Sequence, residues 1–491
     1  MTQAVDNVAL LPAYLAAGTA VLVLLADLLV ARRSATIAAA ATGTVATAIA
    51  AVLVGRTGDR QTFCVAADCS YLANGRSALV ATVFALLTLG VLALSVPILR
   101  TGPTPAGEYC FLLACSMTGG VVLGAAGDLI TLIVALETLT LPLYVLVGLR
   151  RTSVASAEAA VTFFIVSVVA TAVTLLGAAL LYAVTGTVHL RRLGTVFADT
   201  PSLLDVPLAT AAVALVVLGL AFKVAAVPFH AWAPATYDGA PVPVAGYLST
   251  ASKLGGVIAL LAVTAIALPA VVTGPVLAVL AVLTMTVGNL VALRQHRMVR
   301  LLAWSSVAQA GYIVAPLGAL ALAGGRTAEA LSTAVAATVA YTVFYVVMEL
   351  AAFGAVVALR PAGADGGTIE DYRGAARRHP WLGAAFVLAL VGLAGLPPGL
   401  AGLFAKVTVV RSLLDGQAGW LAVVVALNAV VGLAYYVRVA AVLYASPVES
   451  STPSTSPARP TWAVVVALAV ATVVAVVIGF APQLVLDAAQ M

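Results

Sequence analysis

The chain is predicted to fold as an all-α polytopic membrane protein of about fourteen transmembrane helices, with two inverted five-helix repeats that each contain a broken helix. Three observations predict it. Of the 491 residues, 63% are hydrophobic and only 9% are charged, whereas a soluble domain carries about 25% charge. Apolar runs recur from end to end at about 20 residues, the length a helix needs to cross a bilayer; a membrane β-barrel would alternate over segments of about ten residues. Finally, two of the runs are long and interrupted by proline, which removes an intrahelical hydrogen bond. Such breaks survive in a membrane only where protein or a wet cavity satisfies the freed backbone.

In chain order the spans are expected at 8–31, 34–54, 77–99, 107–125, 127–149, 155–184, 207–229, 241–268, 271–292, 298–322, 328–359, 381–413, 418–445 and 461–484. The N-terminus, MTQAVDN, has no cationic stretch before the first run, and that run is too long for a cleaved signal, so it is read as a retained span. The seventh run continues through VPFHAWAP and the twelfth contains GLPPGLAGLFAK, which sets the breaks five spans apart. An odd offset turns the second copy over in the membrane, and broken helices in inverted repeats mark transporters. On this reading 1–106 is an N-terminal three-helix segment, 107–268 a first half-channel repeat (spans 4–8), 269–445 a second (spans 9–13), and 446–491 a loop and the last span. The loop at 446–460, SPVESSTPSTSPARP, is expected to be mobile.

Arginine placement orients the chain. Loops after odd-numbered spans hold thirteen arginines, from Arg32 to Arg151 and on to Arg459, against six after even-numbered spans. The odd side is therefore placed in the cytoplasm and both termini outside. The net charge of +5 resides on these loops and argues for anionic lipid rather than nucleic acid. Cys64 and Cys69 lie in the most polar early loop, and Cys110 and Cys115 in an apolar span. No spacing suits zinc or iron–sulfur. Cys64 and Cys69 either form a disulfide in an exported loop or remain two thiols.

The chemistry is read from a count. There are 21 arginines and three lysines, and all three lysines, Lys223, Lys253 and Lys406, fall inside apolar spans. Most arginines sit in loops or at span ends, with Arg438 in the thirteenth span the clearest exception. Arginine stays protonated in essentially any protein, whereas desolvation can move a lysine's proton affinity to near neutrality. Ionisable groups inside spans are costly and usually mark ion pathways. A single buried lysine could simply hold a fixed ion pair, but lysine used nowhere else points to proton carriage. Glu137, in LIVALETLTLPLY, is the natural counter-charge for Lys223. His230, after the first break, suits either a relay or an interfacial hydrogen bond. Glu349 lies deep in the eleventh span with no sequence-adjacent partner. Asp27 and Asp128 are nearer span ends and are expected to be hydrated. Ser305, Ser306, Gln309 and Tyr312 could line a wet path or simply bond neighbouring helices. A Walker A loop, a dinucleotide fingerprint and a metal-ligand cluster are all missing from the sequence, which disfavours ATP-driven transport and self-contained redox chemistry.

Four stretches together resemble the antiporter-like subunits of respiratory complex I, from about residue 110 to 440: LETLTLPLYVLVGLRR, FKVAAVPFHAWAPATYDGAPVPVAGYLSTASKLGG, NLVALRQHRMVRLLAWSSVAQAGY and LAGLPPGLAGLFAKVTVVRSLL. YDGAP, the lysine at 406, and a chain that stops after its fourteenth span resemble the N type among the three sister subunits. The resemblance implies that Glu137 pairs with the broken-helix Lys223, that Lys253 is the central lysine, that His230 belongs to the PFH motif, and that Lys406 is the terminal lysine of the second half-channel. It also implies a subunit without cofactor or metal of its own, among membrane partners that belong to a complex holding FMN, iron–sulfur clusters and quinone. Quinone reduction elsewhere would drive charge along these groups and protons across a bacterial plasma membrane. The sequence departs from the pattern at Ala235, Gln309 and Glu349, and lacks a sixth-span lysine found in some relatives. The expected function is thus proton translocation within an NADH:quinone oxidoreductase. The alternatives are a cation/proton antiporter or membrane hydrogenase subunit of the same fold, or a structural paralogue that does not pump.

Overall fold

The computed structural model describes residues 5–102, 104–150, 153–446 and 460–490. Arg151, Arg459 and residues 447–459 of the Ser/Pro-rich loop lie outside the described residues. The helices run α1 (Leu11–Leu25), α2 (Arg33–Gly55), α3 (Gly75–Thr101), α4 (Ala106–Leu123), α5 (Leu129–Val147), α6 (Val154–Thr185), α7 (Leu190–Asp199), α8 (Pro207–Lys223), α9 (Trp232–Gly239), α10 (Val242–Tyr247) and α11 (Lys253–Ala262). They continue as α12 (Ala270–Ala292), α13 (Met298–Gly318), α14 (Ala328–Leu359), α15 (Ala375–Arg378), α16 (Pro380–Ala394), α17 (Leu400–Asp415), α18 (Gly419–Tyr444), α19 (Trp462–Phe480) and α20 (Gln483–Gln490).

Twelve helical stretches among the described residues are long and apolar enough to cross a membrane, and α8 and α16 are shorter apolar helices. These two are the first halves of the expected seventh and twelfth spans. Each ends in a break, after which the chain resumes as α9 or α17. The protein is therefore an all-α multi-pass membrane protein.

Local chemistry sets the helix ends. Asn74 and Ser77 cap α3 reciprocally, the pairing that satisfies two orphan amide donors at once. Thr327 caps α14, and proline opens α8 and α16, where its missing N–H costs nothing. Asp128 corrects an expectation. It is buried rather than hydrated, and its Oδ1 accepts the Thr131 amide at 2.7 Å to cap α5.

Two further features depart from the sequence reading. The polar loop after α2 is a hairpin, β1 (Arg60–Val65) against antiparallel β2 (Asp68–Ala73). Cys64 and Cys69 face each other across it and are disulfide-bonded. The stretch before α8, expected to be loop, contains the short helix α7. Leu190, Leu193 and Phe197 are buried on one face while Arg191 and Arg192 are exposed. That i, i+3, i+7 spacing is the amphipathic signal, hidden in a search for long apolar runs.

Burial separates the helices. Helix α13 is enclosed along nearly its whole length, and α10, α11 and much of α14 are buried as well, whereas α6 and α19 expose long apolar faces. Lys253 and Glu349 lie on this interior.

Candidate functional site

The first break begins at Lys223. Val224 leaves the helix, Ala225 adopts φ +58°, and the Val227–Pro228 bond is cis. The freed groups are satisfied by protein. The Val227 amide donates to Thr284 Oγ1 of α12 at 2.9 Å, and Trp232 Nε1 donates to the Phe222 carbonyl at 3.2 Å. Lys223 thus sits at the C-terminal end of a half-helix, where the backbone dipoles favour a cation. Its Nζ donates to Glu137 Oε1 at 2.7 Å, Ser167 Oγ at 3.0 Å and Thr140 Oγ1 at 3.3 Å. Thr171 donates to the same Glu137 oxygen at 2.6 Å. A Cβ on Gly256 would lie 2.8 Å from the Lys223 carbonyl carbon, so α11 can pass this close to the break only with glycine there.

Lys253 opens α11 directly after a π-turn at Leu248–Ser252, a widening common at functional positions. Its Nζ donates to both the carbonyl and the hydroxyl of Ser306 at 2.5 Å. Ser306 Oγ lies 2.8 Å from the Tyr345 hydroxyl, which is 3.0 Å from Ser249 Oγ and 2.9 Å from the Ser249 carbonyl. Ser249 Oγ donates to Glu349 Oε1 at 2.7 Å. Glu349, which has no sequence-adjacent partner, therefore joins the cluster of Lys253 through hydroxyls from α13, α14 and the π-turn.

At the second break Gly395 takes φ +80° and the Pro397–Pro398 bond is cis. Lys406, on α17, folds back and donates to the carbonyl of Ala394, the last residue of α16. This ammonium too lies at the C-terminal end of a half-helix, and 5.0 Å from the centre of the Tyr312 ring, a distance at which the ring face attracts a cation. Gln309 Nε2 donates to the Leu393 carbonyl at 3.0 Å and accepts at Oε1 from Tyr341 at 2.6 Å. Ser305 lies 2.5 Å from the Tyr436 hydroxyl. Asn289 donates to Tyr312 at 2.9 Å and accepts from Tyr435 at 3.0 Å.

The structure thus brings together Glu137 with Lys223, Lys253 with Glu349 across three hydroxyls, and Lys406 with the polar row of α13. His230 stands apart. Its Nδ1 lies 3.3 Å from the Pro228 carbonyl and its ring packs 5.1 Å from Trp304, with no bond to any of the three lysines. Arg438 reaches the end of α12, donating to the Leu293 and Gln295 carbonyls at 2.7 and 2.6 Å. Asn289, Tyr341, Tyr345, Tyr435, Tyr436 and Ser249 were not singled out by the sequence reading. The signal for them is burial of hydroxyl and amide groups in apolar spans, which is too general to select a site. Among the described residues no group of three or more His, Cys, Asp or Glu could hold a metal ion.

Outside the spans, Arg297 ties the two halves of the chain. Its Nε donates to both oxygens of Asp238, at 3.0 and 2.8 Å, and its Nη2 to Asp365 at 2.9 Å. Burial pushes the Asp365 carboxyl up, but the bond and charge of Arg297, with Arg360 nearby, outweigh this and hold it below its ordinary value.

Residues 126–432 match the family described as NADH:quinone oxidoreductase/Mrp antiporter, transmembrane. The chain is 72% identical to NADH-quinone oxidoreductase subunit N of Salinispora tropica, across 100% of this chain and 99% of that one. A chain of respiratory complex I from Thermus thermophilus superposes with TM-score 0.79 at 30% identity, covering 97% of this chain and 98% of that one. A chain of the Mrp complex from a Dietzia species superposes with TM-score 0.80 at 24% identity, covering 99% and 96%, and so shares the fold. The chain belongs to the NADH:quinone oxidoreductase/Mrp antiporter transmembrane family, and within it to the NADH-quinone oxidoreductase subunit N proteins.

Proposed function

We propose that this chain is the N subunit of an NADH:quinone oxidoreductase and carries protons through Glu137, Lys223, Lys253, Glu349 and Lys406, with His230 as a relay or entry group of the first path. The observation that carries the reading is the Lys223–Glu137 pair, a buried ammonium at a helix break 2.7 Å from a half-buried carboxylate. A neighbouring carboxylate favours the charged amine, and withdrawing it favours proton release. A small separation of the pair therefore changes the affinity for a proton in a place that water reaches only through protein. Residues 107–268 and 269–445 act as two half-channels, each built around one broken helix.

On this reading the chain holds no cofactor. FMN, iron–sulfur clusters and quinone belong to partner subunits, and their redox chemistry supplies the driving force. The chain lies in a bacterial plasma membrane with both termini outside, among the other membrane subunits of the complex.

The test is NADH-driven proton uptake in membrane vesicles, wild type against Lys223→Met, with electron flow and complex assembly followed in the same samples. Assembly with collapse of proton uptake supports the reading. Unchanged pumping by a fully assembled complex refutes it, and favours a structural role.

A further inference from the structure

The two lysine–glutamate sets differ in how the carboxylate meets its amine. Glu137 touches Lys223 directly. Glu349, which is wholly buried, makes no direct ion pair among the described residues, and its Oε2 has no hydrogen-bond partner. A buried carboxylate left half-satisfied is costly, and a paralogue serving only to pack helices gains nothing from one. What connects Glu349 to a cation is a row of three hydroxyls, each within bonding distance of the next: Ser306 at 2.5 Å from Lys253 Nζ, Tyr345 at 2.8 Å from Ser306, and Ser249 at 3.0 Å from Tyr345 and 2.7 Å from Glu349 Oε1.

We propose that Glu349 exchanges its proton with Lys253, and does so through Ser306, Tyr345 and Ser249; the proposal rests on the proton-carrying function above. In one transfer the Lys253 ammonium gives a proton to Ser306 Oγ. The Ser306 hydroxyl proton passes to Tyr345, that of Tyr345 to Ser249, and that of Ser249 to Glu349. Four protons each move one place, the ammonium becomes an amine, the carboxylate becomes a carboxylic acid, and the hydroxyls end intact but reversed in direction. Two opposite charges are neutralised together, so no isolated charge is left in the interior.

Tyr345 can lengthen the row's weakest gap. Its hydroxyl has a second acceptor, the Ser249 carbonyl at 2.9 Å. Turned to that carbonyl it leaves Ser249 Oγ only the Ser306 hydroxyl, 3.4 Å away, the longest gap in the row. Turned to Ser249 Oγ it closes the relay. The π-turn at Leu248–Ser252 places both Ser249 oxygens within reach of the same phenol.

The experiment uses the assembled complex in vesicles and reads protons taken up per electron pair, with assembly and electron flow as controls. Glu349→Gln keeps the shape and can still bond Ser249, but cannot hold the transferred proton. Ser249→Ala cuts the last step without touching a charge. Each is expected to lower the ratio at normal assembly, and the double variant to lose no more than Glu349→Gln alone, because both cut one relay. Glu349→Asp is expected to recover part of the loss. A structural role would lower assembly or electron flow while the ratio stayed at its wild-type value, and that result overturns the relay. If Glu349→Gln does not assemble, Ser249→Ala decides by the same ratio. An unchanged ratio in the relay variants beside a collapsed ratio in Lys223→Met overturns the relay and leaves the wider function standing. An unchanged ratio in all of them removes both.

Discussion

Gly395 and Lys406 occupy the same space: a Cβ on the glycine would lie 2.6 Å from Cδ of the lysine. The second break is thus shaped so that the Lys406 stem lies over a residue with no side chain, which lets its ammonium reach the Ala394 carbonyl. Gly395→Ala meets two penalties, the clash and a φ of +80°. The left-handed conformation alone costs a residue with a Cβ about 1–2 kcal/mol. The variant is expected to assemble less stably than wild type and to lose proton uptake per electron pair, read by thermal inactivation of the complex and by vesicle acidification. Gly256→Ala, against the Lys223 carbonyl, is the matching test at the first break.

Removing Glu137 leaves Lys223 with Ser167 and Thr140 but no counter-charge. Breaking one side of a buried pair costs about 3–5 kcal/mol, whereas replacing both sides can be nearly neutral. Glu137→Gln is therefore expected to destabilise the complex more than the double variant Glu137→Gln, Lys223→Met. Thermal inactivation of the two, side by side, checks the order.

The Arg297 clasp is partly exposed, so its contribution is modest, about 0.2–1 kcal/mol for each exposed pair. Its pH dependence has a definite sign. The Asp365 carboxyl is held below its ordinary 3.8, so its share of stability is complete above that value and is lost as pH falls through the lowered one. Tryptic cleavage at Arg373, in the loop the clasp holds, is expected to be slow in wild type and faster in Asp365→Asn at neutral pH. The ratio of variant to wild-type cleavage should not change with pH between neutrality and the ordinary carboxylate value.

The Cys64–Cys69 bond gives a test of orientation. Disulfides persist in oxidising compartments, so the hairpin that carries this one is expected on the outer face, the side with fewer loop arginines. In intact cells a membrane-impermeant reductant followed by a thiol reagent is expected to label the tryptic peptide 61–76, and no label should appear without reduction. Labelling only after the cells are opened would reverse the assigned orientation.

The sequence by itself determined the membrane class, the two break positions and the three lysines. Each follows from a quantity that composition carries directly: the transfer cost of apolar runs, the missing N–H of proline, and the rarity of a titratable amine in a span. It also offered Glu137, a carboxylate inside a span, as the natural counter-charge for Lys223, and the family resemblance implied the same pair. The hairpin and α7 escaped because both are short and partly polar, so neither stands out against apolar runs of about 20 residues.

Only the tertiary structure decided what the other amines face. Lys406 bonds a backbone carbonyl, which every residue possesses and no sequence pattern marks. Lys253 and Glu349 meet through Ser306, Tyr345 and Ser249, hydroxyls no different in sequence from the threonines of α2 that merely bond their own helix. Which hydroxyl joins a relay depends on the rotation and height of three helices against one another. Those are set by packing over the whole interior, where a shift of one residue along a helix turns a side chain by about 100° and would take each of these groups out of reach.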